Sequence, residues 1–116
     1  MKTLAILLSL TTSLFSQADE IKPDFVCVED SGFTYEFFMS NFSEIHQYDE
    51  NGEFVSMYDG IVFDYRSIET FPSIDQFTVS YADDGNEIAV IEFLSTSNKG
   101  EGEMIDHDQE MVCERQ

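Results

Sequence analysis

The chain has 116 residues and a formal net charge of −19, from 24 acidic against five basic side chains. Nucleic acid and anionic membranes are bound by clustered Lys and Arg, so this balance speaks against both as partners. A basic protein or a cation is what such a surface attracts, at long range and less strongly as salt rises. The same charge would also serve solubility or life in a salty medium, without any partner. Acidic chains are often disordered, but here 42% of the residues are hydrophobic, with 11 Phe and five Tyr. That is enough apolar material for one folded domain.

The first segment, "MKTLAILLSLTTSLFSQADE", reads as a secretory signal peptide over residues 1–18. Lys2 supplies the positive start, Leu4 to Leu10 the apolar run, and Ser16-Gln17-Ala18 the small-x-small cleavage site. The apolar run is too short and too broken by Ser and Thr to span a bilayer, which needs roughly 20 apolar residues. Cleavage after Ala18 leaves a single acidic domain, residues 19–116, exported to the periplasm or the extracellular medium. All the acids remain in it beside Lys22, Arg66, Lys99 and Arg115, a net charge of about −20 from 24 acidic and four basic side chains.

From there on the dominant period is two, the mark of half-buried strands. "DFVCVE" opens the set. "GFTYEFFMS" places Phe33, Tyr35, Phe37 and Met39 on one face. "FSEIHQYD" groups Phe42, Glu44, His46 and Tyr48, and "EFVSMYD" groups Phe54, Ser56 and Tyr58. "GIVFDYR" sets Ile61, Phe63 and Tyr65 together, and "DQFTVSYA" sets Phe77, Val79 and Tyr81. "EIAVIEFL" is apolar on both faces and should be the most buried strand. "QEMVCER" ends the chain. Asn51-Gly52 predicts a type I′ hairpin turn, and Asp84-Gly85 a second hairpin. Asp59-Gly60 is a third turn or a bulge, and Asp30-Ser31-Gly32 a fourth turn. Pro72 interrupts "SIETFPSI", and "STSNKGEGE" reads as a flexible loop. The expected fold is all-β, an antiparallel meander of about eight strands.

Two cysteines in an exported chain read as one disulfide, Cys27 to Cys113. Its Cα atoms must approach to about 4.4–6.8 Å, so the first and last strands have to lie together. This favours a closed barrel over a two-sheet sandwich.

The chemistry-bearing residues are few. Asp106, His107 and Asp108 in "IDHDQE" are the metal-ligand candidates, but along a strand His107 would point away from the two acids. Only a turn would converge them, and a zinc site would need His46 as well. The helix–loop–helix calcium pattern fails. Aligned on Gly52 it puts Gln47 first and Tyr58 last; aligned on Gly85 it puts Ser80 first and Ile91 last. No Gly-x-Ser-x-Gly occurs, and a thiol nucleophile is excluded if both cysteines are bonded. No catalytic residue is therefore assigned and no cofactor expected, with a small hydrolase the minor alternative. Asn41-Phe42-Ser43 spells a glycosylation sequon, which acts only in a eukaryotic secretory pathway.

The placement of Cys27 and Cys113 and the strand count resemble the periplasmic inhibitors of C-type lysozyme. That family carries a Ser-Gly-x-x-Tyr motif in mid-chain. Ser31-Gly32-Phe33-Thr34-Tyr35 spells it here, earlier in the chain. The resemblance is one of architecture, and it implies a binding domain in place of an enzyme. The function expected is a non-enzymatic domain whose acidic surface engages or inhibits a basic protein. A barrel carrying a small ligand or calcium is the alternative.

Overall fold

The computed structural model describes residues 21–40 and 43–116. The signal segment 1–18, its cleavage site, and Asn41 and Phe42 of the sequon lie outside the described residues. Those residues form nine strands: β1 Phe25–Glu29, β2 Thr34–Phe38, β3 Glu44–Tyr48, β4 Phe54–Tyr58, β5 Ile61–Ile68, β6 Ile74–Tyr81, β7 Glu87–Leu94, β8 Lys99–Met104 and β9 Gln109–Arg115. None of the described residues forms a helix long and apolar enough to cross a membrane.

All nine strands are antiparallel in one nearly closed, barrel-like sheet of order β4-β3-β2-β1-β9-β8-β7-β6-β5. The first and last strands pair as expected, with Cys27 directly opposite Cys113. Their sulfurs are bonded and their Cα atoms are 4.0 Å apart. Such a bond is consistent with an oxidising, exported compartment. The gap in the sheet falls elsewhere, between β4 and β5. A two-residue corner, Asp59-Gly60, joins these strands without pairing them, and the Gly60 carbonyl accepts the Ala82 amide instead.

The inward side chains fill the interior. Phe25 packs its ring against Phe37, Phe77 and Phe93, and Phe77 meets Phe93 in turn, with centroids 5.0–6.3 Å apart. Ile45, Val79, Ile91, Met104, Met111 and the disulfide complete the core. β7 contributes Ile88, Ala89, Ile91 and Phe93, all buried, as its doubly apolar pattern predicts.

Two strand readings need correction. The segment read as a flexible loop, "STSNKGEGE", contains β8. Its glycines are a packing device. Gly100 and Gly102 face inward opposite Cys113 and Met111 on one side and Phe93 and Ile91 on the other. A Cβ on Gly100 would run into the Glu92 carbonyl and the Phe93 ring. Large neighbours on both flanks thus occupy the space that β8 leaves empty. Gly100→Ala should lower stability by about 2 kcal/mol, the ordinary cost of overpacking a filled core, which urea unfolding will measure.

The second correction is Phe54. Alternation groups it with Ser56 and Tyr58. A bulge between Gln47 and Tyr48 shifts the register, so Tyr48 faces Phe54 while Gln47 faces Ser56. Phe54 therefore joins Tyr48 on the outer surface, with ring centroids 5.9 Å apart. The Asn51-Gly52 hairpin forms where expected, but only Gly52 takes a positive φ, 83°. The Asp49 carboxylate accepts the amides of Asn51 and Glu53, which makes a longer turn than type I′.

Candidate functional site

β1 alternates with Phe25, Cys27 and Glu29 inward, so its last interior position is an acid. Glu29 is 5% exposed. A carboxylate so placed needs donors, and three groups converge on it. Ser31 Oγ donates to Oε1 at 2.6 Å, Tyr35 OH donates to Oε2 at 3.0 Å, and His107 Nε2 lies 2.7 Å from Oε2. Gln47 Nε2 donates to the Tyr35 oxygen at 3.2 Å, and His107 Nε2 is 3.1 Å from that oxygen. The turn after β1 swings Ser31 back over the strand end. The turn between β8 and β9 brings His107 across from the other side. With Phe33 and Gln109 these residues line an open cleft of about 460 Å³ at one end of the barrel.

Tyrosines crowd this end. Burial first, then the bond to Glu29, holds the Tyr35 hydroxyl well above its ordinary pKa. Burial and the nearby Asp106 carboxylate push Tyr58 up to about 12. Burial and Asp106 raise Tyr81 as well. All three hydroxyls stay protonated at neutral pH and can donate. Ser31 Oγ points at Glu29 and not at His107, so the group lacks the serine-to-histidine contact of a nucleophilic relay. Its geometry is that of a satisfied buried carboxylate tying β1, β2 and the β8–β9 turn together.

The three metal-ligand candidates do lie in a turn, with Asp108 at φ 57°. The turn separates them. Asp106 accepts from Tyr58 OH at 3.3 Å, and His107 turns into the cleft. His46 sits on the outer face beside Glu44, 2.9 Å away, and against the Phe38 ring. Among the described residues no three His, Cys, Asp or Glu side chains gather as a metal would require. In the hairpin tips, Asp49 and Asp84 are occupied by their own turn amides.

On the outer face of β7, β8 and β9 four acids stand in two cross-strand pairs. Glu92 is directly opposite Glu101, and Glu103 directly opposite Glu110. Like charges in such positions oppose folding. Lys99 stands beside them as a counter-charge, its Nζ 3.7 Å from Glu114. Ile74, Leu94, Glu92, Glu101 and Lys99 line an outer cleft of about 460 Å³. Val90, Glu92, Glu101, Glu103 and Glu110 line a smaller one of about 260 Å³. Counting acids along the chain does not place them. The alternation Lys-Gly-Glu-Gly-Glu is the available signal, since it puts every charge of that stretch on one side once it is read as a strand.

No family model matches the chain, nor does any curated protein or solved structure.

Proposed function

We propose that this domain binds a basic protein through the outer face of β7–β9, without catalysis. The observation that carries the reading is the pair of directly opposed glutamates, Glu92 with Glu101 and Glu103 with Glu110. Like charges held opposite one another disfavour the free protein, with Gln76 donating to Glu92 in partial compensation, and lysines or arginines of a partner would favour the bound state. The two outer clefts mix carboxylates with Ile74, Leu94 and Val90, a lining suited to the aliphatic stem and charged head of such side chains. A cationic enzyme is one such partner, and holding it there would inhibit it. The alternative of a barrel carrying a small ligand has less support, because the aromatic core fills the interior.

The double variant Glu101→Gln/Glu103→Gln tests the reading twice over. Relief of two like-charge contacts should raise stability at low salt by up to about 1 kcal/mol. The same change should weaken capture of basic proteins and flatten its salt dependence. A variant that binds as the parent does would place the interface elsewhere.

A further inference from the structure

The rim of β5 is the least protected edge of the sheet. Among the described residues β5 pairs only with β6, and it does so over eight regular positions without a bulge. Its other rim therefore presents a regular row of main-chain donors and acceptors. Edges of this kind are usually blunted by Pro, Lys, bulges or short length. β5 has no Pro, no Lys and no bulge, and it is among the longest strands. β4, across the gap, is five residues long and bulged against β3.

The inward side of β5 is covered at Ile61 and Phe63, which pack on the core, and open further along at Tyr65. Tyr65 lies opposite Phe77, a core residue, and packs on it at 5.3 Å between centroids. An inward-facing ring on a closed barrel would be buried, yet Tyr65 is 58% exposed, since among the described residues β5 is the last strand of the sheet. Its hydroxyl donates to Asp75. Asp64 on the strand, and Asp59 and Glu69 at its two ends, outnumber Arg66 around the rim.

We infer that the free rim of β5 takes up an extended, basic segment of a partner polypeptide as an added strand. Main-chain hydrogen bonds would give the attachment. Inward side chains of the guest would cover Tyr65, and its outward Lys or Arg would lie beside Asp64. A second copy of this chain is the poorer guest, since each copy carries the same large negative charge. The inference rests on the proposed basic partner for the sign of the guest and adds a second point of attachment, separated from the β7–β9 face by β6.

The test uses the intact disulfide-bonded protein and two synthetic peptides, each as long as β5 and alternating Lys and Val. One peptide is unmodified; the other is N-methylated at alternate residues, which keeps charge and side chains but removes the strand donors. At low salt the unmodified peptide should bind and slow amide exchange in residues 61–68. The methylated peptide should bind at least about tenfold more weakly, as expected from losing more than one hydrogen bond. Equal binding of the two, or protection confined to β7–β9, overturns strand addition and leaves the basic-partner reading standing. Failure of both peptides to bind also overturns strand addition, and capture of basic proteins by the parent and by Glu101→Gln/Glu103→Gln then decides the basic-partner reading separately. A peptide-free dimer already protected along β5 would give the rim to a second copy and overturn the basic guest.

Discussion

Cys113→Ser should lower the melting temperature by on the order of 20 °C or more under non-reducing conditions. The bond joins residues 86 positions apart, so it closes a loop of nearly the whole domain. Chain-entropy arithmetic for such a loop gives roughly 4–5 kcal/mol, about the whole net stability of many small domains. The sheet adds a second reason. β1 and β9 are its central joint, with four strands on the far side of β9 and three on the far side of β1. Losing the bond loosens the seam between the two hairpin series, β1–β4 and β5–β9. Both sulfurs are buried, so the variant also leaves a thiol and a hydroxyl in the core. The double variant Cys27→Ala/Cys113→Ala removes those polar remnants and isolates the cross-link. Calorimetry of all three proteins separates the contributions. A melting point unchanged from the parent would show that the joint is held by pairing alone.

Glu29→Ala should cost roughly 3 kcal/mol, the upper end for removing a buried polar group while its partners stay behind. Three groups on three separate elements use this carboxylate: Ser31 in the β1–β2 turn, Tyr35 in β2 and His107 in the β8–β9 turn. Tyr35 is buried in the folded protein, and without Glu29 its hydroxyl keeps only Gln47 and His107 as neighbours. The His107 side chain is 40% exposed, so His107→Ala should cost clearly less. Glu29→Gln keeps one acceptor oxygen and should fall between. Urea unfolding of the three variants gives the ranking, and hydrogen exchange at residues 105–108 reports whether the turn is released. Equal effects from Glu29→Ala and His107→Ala would mean that the carboxylate serves His107 alone.

Much of the architecture was legible because it depends on period-two alternation and on one covalent constraint. Eight of the nine strands follow from apolar patterning, seven by alternation and β7 by being apolar on both faces, and the Cys27–Cys113 pairing required the chain ends to meet. β8 was not legible in that way, since its inward positions are glycines and carry no hydrophobic signal. Their meaning comes from Phe93 and Ile91, which reach them only once β7 and β8 pair. The face of Phe54 is not legible from alternation, because a bulge inserts one residue and a shift of one residue exchanges the faces of a strand. The gap between β4 and β5 follows from a corner at Asp59-Gly60 that a hairpin would spell in the same letters.

The Glu29 cluster was half visible. Phe25-Cys27-Glu29 alternates inward, so the acid at its end requires partners. Which partners was not readable, because His107 arrives from a turn 78 residues further along. Ser31 and Tyr35, the ends of the Ser-Gly-x-x-Tyr string, both serve Glu29 in this fold. The acidic face required knowledge of register, which sets Glu92 against Glu101 and Glu103 against Glu110.

The most direct test of the proposed function is capture of basic extracellular proteins by the intact domain across a salt series, with Glu101→Gln/Glu103→Gln run in parallel. The reading predicts binding that weakens steeply as salt rises and is reduced in the variant even at low salt. Absence of binding at low salt, or binding indifferent to both salt and the two glutamates, would contradict it.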